Sequence, residues 1–322
     1  MKTYIGIDVS KATLDIAWRE KTNKHFKVSN DLNGFKEIIR KCPTNSHFVM
    51  EATGVYYLHL AYFLIKHNFD ISVVNPLSIK RFSQMTLSRS KTDKADSFLI
   101  ADYASSLTPK TWNAPKPKIL EMQQLWTLSD KIITQKQMLK NQIEAFARNP
   151  FASKLALLSI KSILKILDKE MLRIEKELDK IVSTFYPREI EIVESIPGIG
   201  SKTSQALIIV SKGFTEFENG RNLCSFIGLT PRVSQSGTSL NSKGKITKMG
   251  QGKIRSLLYM CALTAVRKNA GCKQLYERFV KLGKPKKVAL VAVAAKLVRQ
   301  AVTMIKQDKL FEEKLSLSPC FQ

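Results

Sequence analysis

Tyr4-Ile5-Gly6-Ile7-Asp8-Val9-Ser10-Lys11 is the stretch on which the reading of the fold turns. Its β-branched residues at 5, 7 and 9 alternate as in a buried strand. Asp8 stands among them, and a carboxylate in such a strand is costly unless a cation offsets it. A second apolar run, His47-Phe48-Val49-Met50-Glu51, also ends in a carboxylate, before Ala52-Thr53-Gly54. Lys91-Thr92-Asp93-Lys94-Ala95-Asp96 then spaces two acids at i,i+3, which puts both on one face if the segment is helical. Four carboxylates on two strand ends and one helix start can make an oxygen-rich cage for hard divalent cations. Taken singly, each acid is a cap or a solvated charge, and that is the plainer reading of Asp96. It fits Asp8 and Glu51 less well, because both interrupt runs that otherwise read as buried.

Around these stretches, residues 3–10, 13–19 and 24–28 read as three strands whose short connections favour an antiparallel meander. Asn30 or Asp31 can cap a helix running to Arg40. The strand ending at Glu51, a helix over 56–67 and the strand Ile71-Ser72-Val73-Val74, stopped by Asn75-Pro76, complete the series. Three hairpin strands followed by alternating helices and strands is the order of a ribonuclease H-like α/β domain. In that order the first and fourth strands lie side by side, so Asp8 and Glu51 are expected at one sheet edge.

From Thr108 to Pro117 the composition turns to Pro, Lys, Asn and Trp, a linker signature. Leu120 to Val182 then carries helical apolar spacing with one internal break at Asn149-Pro150. Leu125, Ile132, Ile133, Met138, Leu139 and Ile143 repeat on the first half. Ile163, Ile166, Leu167, Ile174 and Leu178 repeat on the second. The expectation is two long helices folded back on each other as an antiparallel coiled-coil hairpin, a spacer or a subunit-assembly arm. Three domains result, over 1–110, 111–185 and 186–322.

The 322 residues carry 52 Lys and Arg against 27 Asp and Glu, a net charge of +25. The excess is +6 in the first domain, +5 in the second and +14 in the third. Between Glu218 and Glu277 stand ten basic residues and no acid. A long stretch purged of acids fits contact with a phosphate backbone. No basic amphipathic anchor at either end speaks for a membrane surface. The five cysteines are scattered with no C-x-x-C pair, which argues against a zinc site or a disulfide framework and for reduced cytosolic thiols. All four histidines lie between His25 and His67, so no local histidine can serve a triad in the basic third. The amino terminus enters a strand at once, and no apolar run reads as long enough to span a bilayer. The expected location is the cytoplasm.

The third region opens with Ile196-Pro197-Gly198-Ile199-Gly200-Ser201-Lys202. This resembles the turn of a helix-hairpin-helix unit, where Gly198 and Gly200 let backbone N–H groups approach a phosphate near Lys202. A plain inter-helix turn is the competing reading. Phe226-Ile227-Gly228-Leu229-Thr230-Pro231-Arg232 leads into Val233-Ser234-Gln235-Ser236-Gly237-Thr238-Ser239, read as a flexible hydroxyl-rich loop. Lys245, Lys248, Lys253 and Arg255 follow, and Lys286 and Lys287 sit in a basic turn before an apolar closing helix. A serine before glycine, amid cations and without acids, suits a hydroxyl nucleophile attacking a phosphodiester, although composition alone favours an ordinary loop.

Gly-Ile-Asp8-Val-Ser-Lys, Met-Glu51-Ala-Thr-Gly and Lys-Thr-Asp93-Lys-Ala-Asp96 resemble the DEDD tetrad of insertion-sequence-110 family transposases. The Ile-Pro-Gly-Ile-Gly, Phe-Ile-Gly-Leu-Thr-Pro-Arg and Ser-Gly segments resemble that family's C-terminal domain, in the same order along the chain. The resemblance implies a RuvC-like domain, a coiled coil and a mainly helical, serine-bearing C-terminal domain. It implies Mg²⁺ or Mn²⁺ held by Asp8, Glu51, Asp93 and Asp96, and a phosphoserine formed on Ser236, with Ser234 and Ser239 in the same segment. The implied partners are target and donor DNA, an element-encoded bridge RNA and further copies of the chain in a tetramer. That tetramer would combine carboxylates of one subunit with serine of another. The competing expectations are a metal-dependent nuclease using water, which leaves Ser236 dispensable, and a non-enzymatic scaffold, which leaves the carboxylates dispensable.

Overall fold

The computed structural model describes residues 2–87, 92–236, 240–246 and 249–313, with 232–236 and 240–245 described by backbone alone. The chain forms two compact units, Met1–Ala114 and Pro115–Gln322.

In the first unit, β1 (Thr3–Val9), β2 (Thr13–Arg19) and β3 (Asn23–Ser29) form the expected meander. Then come α1 (Leu32–Lys41), β4 (Ser46–Glu51), α2 (Leu58–Lys66), β5 (Asp70–Val74), α3 (Pro76–Met85) and α4 (Asp93–Leu107). Asp31 caps α1, its side chain accepting from the Gly34 N–H, while the Asn30 amide donates to the Ser10 carbonyl. The sheet order is β3-β2-β1-β4-β5, with β4 parallel to both β1 and β5. The first and fourth strands are therefore neighbours, as the motif order required.

The period-2 alternation of the strands fills the two faces differently. Ile5, Ile7, Leu14 and Ile16 are fully buried with Phe35, Ile38 and Leu60 on the face covered by α1 and α2. At about 1.5–3 kcal/mol for each such side chain, this face supplies much of the unit's stability. The other face packs Val49 and Val74 against Ile79, Ile100 and Ala104 of α3 and α4. On that face Gly6 has no side chain for a reason: a Cβ there would lie 2.1 Å from the Ser97 carbonyl oxygen and 2.4 Å from the Ala101 nitrogen. Helix α4 rests directly on the backbone of β1.

In the second unit, α5 (Pro117–Ala147) and α6 (Lys154–Phe185) pack against each other as a long hairpin. A Lys136–Asp168 ion pair ties the two helices. Towards α7 (Pro187–Glu194), Ile132, Ile174, Leu178 and Val182 join the core of this unit. Towards the turn at 148–153 the apolar positions Met138, Leu155, Leu158, Ile163 and Ile166 are exposed. The remaining elements are α8 (Ser201–Val210), α9 (Gly220–Ile227), β6 (Arg232–Ser236), β7 (Leu240–Lys245), α10 (Gly252–Lys268), α11 (Ala270–Lys281) and α12 (Lys286–Gln307).

Two expectations are corrected. The hydroxyl-rich segment is not a loop from Arg232 to Ser236: it is β6, paired antiparallel with β7. Ser234 and Ser236 alternate with Val233 and Gln235, a period of two that suits a pleated ribbon. The other correction concerns α12, which is long and apolar enough by length and composition to cross a membrane, contrary to the sequence reading. Lys296 and Arg299 broke the apolar run in sequence, yet the average over the helix stays high. Of its most apolar window 61% is buried, with Val293, Leu297, Val298 and Ala301 in the core, so the helix is the centre of a folded unit.

Candidate active site

Asp8 lies one residue beyond the last β1–β4 pair, Ile7 opposite Met50, which brings it beside Glu51 at the end of β4. Glu51 accepts a hydrogen bond from the Thr53 hydroxyl, 2.9 Å away. Asp93 and Asp96 come from the first turn of α4, where Thr92 caps the helix by accepting from the Ala95 N–H. Carboxylates in a first turn are favoured by the helix dipole, so these two acids help to start the helix that carries them. The Gly6 contact then sets α4 on β1. At its far end, Arg19 of β2 grips Asp102 of α4 through two N–H donors, the ηN–H bond being 2.7 Å, and stacks on Phe98.

The charges of Asp96, Asp93 and Glu51 all reach Asp8. Burial first, then these carboxylates and Asp15, push the Asp8 carboxyl up to about 6. Glu51, Asp93 and Asp96 are thus near enough to Asp8 for their charges to act on it. Among the described residues, no three His, Cys, Asp or Glu side chains stand close enough to close around a single metal ion. All four side chains are carboxylates, the oxygen donors that hard divalent cations take. A cation among them would relieve the repulsion that adds to burial in raising Asp8.

The structure adds a layer that the motifs did not reveal. Asp15 of β2 stands directly opposite Asp8, and Lys27 of β3 directly opposite Asp15, in one row across the sheet. Asp15 is only 5% exposed. It binds the His25 ring nitrogen at 2.9 Å and the Lys27 ammonium at 3.0 Å, and Lys27 reaches Asp93 at 3.5 Å. Asp15 and then Asp93 hold the Lys27 ammonium above its ordinary range. The signal was present in the connections: a turn over Ser10–Ala12 pairs Val9 with Leu14 and therefore Asp8 with Asp15.

The basic candidates of the second unit fall into different environments. Gly198 has φ +109°, and a Cβ there would lie 2.8 Å from that of Ala265, so it lets the turn settle on α10. Gly200 begins α8 and faces open space. Lys202 is paired with Glu175 of α6 at 2.7 Å. Lys253 lies over the Trp126 ring, 4.1 Å from its centre, and pairs with Asp130 at 3.2 Å, which ties α10 to α5. The Arg255 guanidinium donates to the Ile227 and Met249 carbonyls. Lys286 and Lys287 are exposed at the start of α12. Arg232 and Lys245 are opposite each other in the ribbon, and Ser236 is opposite Leu240 at its end. Ser236 and Ser234 are described by backbone alone; Lys248 and Ser239 lie outside the described residues.

Comparison with known proteins gives two family matches along the chain. Residues 5–151 match a DEDD-type IS110 transposase family, and residues 190–277 match the IS116/IS110/IS902 transposase family. The pilin gene-inverting protein of Moraxella lacunata is 30% identical over 98% of this chain and 99% of its own length. Its counterpart in Moraxella bovis is 29% identical with the same coverage. A transposase for insertion sequence element IS1111A of Coxiella burnetii is 24% identical over 58% of this chain and 57% of its own.

Proposed function

Because the chain belongs to the IS110 family of transposases, we propose that it cuts and rejoins DNA through a covalent serine intermediate at a carboxylate-supported site. As a member it is a recombinase of an insertion-sequence type, and DNA is its partner. The observation that supports the reading is the place of Asp8, beside Glu51 at the strand ends and within reach of the charges of Asp93 and Asp96. A site that concentrates negative charge on a basic chain is suited to cation-assisted phosphoryl chemistry.

In the proposed mechanism, the Ser236 oxygen bonds to the scissile phosphorus as one phosphorus–sugar oxygen bond breaks. The serine proton leaves, and the departing sugar oxygen takes up a proton. A second sugar hydroxyl then displaces serine by the reverse step, so the phosphodiester energy is conserved and no ATP is needed. Asp8, Glu51, Asp93 and Asp96 would hold Mg²⁺ or Mn²⁺, which when bound supplies charge neutralisation of the phosphate and eases ionisation of the serine. Lys27 and Thr53 orient Asp93 and Glu51. Basic residues between Glu218 and Glu277 hold the phosphate backbone.

The same proposal extends to partners. Inversion of a DNA segment, the activity named for the Moraxella relatives, needs two crossovers held together. A tetramer built as a dimer of dimers, joined through the exposed apolar stripe of the α5–α6 hairpin, provides that. An element-encoded bridge RNA would pair with target and donor DNA, and the protein would act in the cytoplasm at the nucleoid. The deciding experiment is to trap the protein–DNA adduct and map its residue. An adduct on Ser236 that Ser236→Ala abolishes supports the reading. Cleavage without any adduct by all of Ser234→Ala, Ser236→Ala and Ser239→Ala overturns it in favour of hydrolysis by water.

A further inference from the structure

The second unit contains a groove of about 890 Å³ between α9, α11 and α12, next to the segment Leu229-Thr230-Pro231 that enters β6. Its size lies within the range of ligand sites. The floor is one face of α12, where Val288, Val291, Ala292 and Ala295 recur at helical spacing, with Leu275 and the ring of Phe279 on the α11 side. Small residues on α12 leave a slot facing an aromatic ring. Among the described residues four cations line the groove, Arg221, Arg278, Lys287 and Arg299, and no acid does. Asn222, Ser225 and Thr230 supply hydrogen-bonding groups at the α9 end.

An apolar slot with an aromatic wall, an amide and a purely cationic rim is the chemistry of a nucleotide site. The base stacks within, its edge meets the amide and hydroxyls, and the phosphates lie on the rim. An acidic peptide would use the rim but leave the slot empty, and an apolar helix would fill the slot but set Arg221, Arg278 and Lys287 against apolar surface. We propose that this groove receives one unpaired base of the DNA strand being cut, extruded from the duplex while strands are exchanged.

The position supports DNA as the source. Pro231 lines the groove and the next five residues are β6, which ends at Ser236. At about 3.3 Å per residue this strand spans roughly 16 Å, about five base steps of duplex at ~3.4 Å each. A base held in the groove therefore belongs close to the phosphodiester that Ser236 attacks. Exchanging strands requires pairs near the cut to open, and an opened base costs less when it is stacked. The inference rests on the serine reading of the function, and its test separates the two.

The full-length protein is irradiated with a mixed-sequence single-stranded DNA carrying 5-iodouracil in place of thymine, and the crosslinked peptides are mapped. The expected result is a crosslink within α11 or α12 at the groove. Ala292→Trp, which fills the slot from a partly exposed position, should abolish that crosslink and weaken single-strand binding about tenfold. Binding of duplex DNA and its salt dependence should stay unchanged. Phe279→Leu serves the same purpose if Ala292→Trp does not fold by circular dichroism. Crosslinks that map elsewhere, or single-strand affinity unchanged in both variants, overturn the proposal. So does an iodouracil RNA that crosslinks here while the DNA does not. So, too, does a change in oligomer mass alone, which makes the groove a contact between copies. Failure of the unaltered protein to bind any nucleic acid overturns the functional reading itself.

Discussion

Asp8 on β1 and Asp15 on β2 face each other directly across the first hairpin, two carboxylates in a non-helical pair of adjacent strands. Like charges in that relation repel. Asp15 is hydrogen-bonded by the His25 ring and paired with the Lys27 ammonium, whereas the charges of Glu51, Asp93 and Asp96 act on Asp8. One acid of the pair is tied into the sheet by its neighbours, and the other faces the remaining carboxylates. That asymmetry is why the proposed chemistry is assigned to Asp8 and not to Asp15.

The cost of holding Asp8 charged makes stability depend on pH. Its carboxyl is raised from 3.8 to about 6, so between those values the folded chain binds more protons than the unfolded one. Stability from this group therefore falls as pH rises through that window, and the full cost is present at pH 7. Asp8→Asn should stabilise the cation-free protein at neutral pH by on the order of 1 kcal/mol after solvent screening, and not at all below pH 4. Thermal melts in chelator across that range check this; parallel curves for the two proteins would refute it. The same variant should bind DNA and fail to cleave it.

Gly6 sets the distance between the strand and helix carboxylates. Gly6→Ala places a methyl group against the Ser97 and Ala101 backbone, which cannot rotate away. It should destabilise the first unit by about 1–3 kcal/mol or more, and cleavage should be lost even in the fraction that folds. A variant with unaltered melting and activity would show that α4 does not rest there.

Lys27 neutralises Asp93 and Asp15 from β3. Lys27→Gln should lower stability in chelator yet enlarge the stabilisation given by added Mn²⁺, because a competing cation has gone. Lys27→Arg should restore the original pattern. Equal Mn²⁺-induced shifts in all three proteins would assign Lys27 to the surface only.

For assembly, the informative hairpin positions are those exposed in the single chain. Ile132 is buried in the unit's own core, so a charge there unfolds rather than dissociates. Ile163→Glu with Ile166→Glu should reduce oligomer mass by light scattering while the melting curve of the unit stays intact. An unchanged mass would leave the hairpin a spacer.

The first unit was legible because its signals are local. Alternation in β1 and the apolar run of β4, with the order of elements, are enough to make the first and fourth strands neighbours, and the i,i+3 spacing of Asp93 and Asp96 suits the helix that carries them. What escaped were residues whose meaning depends on register. Nothing in the local sequence singles out Asp15 and Lys27; only the strand register puts Asp8, Asp15 and Lys27 into one row. In the second unit the basic residues were counted correctly but not sorted. Lys202 and Lys253 are engaged with Glu175 and Asp130, partners far away in sequence that no local pattern links to them. The groove was invisible for a similar reason: its walls come from three helices.

Helix α12 has a consequence for synthesis. A segment this apolar is shielded in the folded chain by the neighbours that enclose it. Residues 286–307 leave the ribosome after α9, α10 and α11, the helices against which they pack. The apolar face therefore emerges into a receptacle already present, and its exposure lasts only for the time of docking. Were these segments permuted so that α12 came first, its apolar face would stay exposed until the later helices were made, and the same fold would have to form in competition with aggregation.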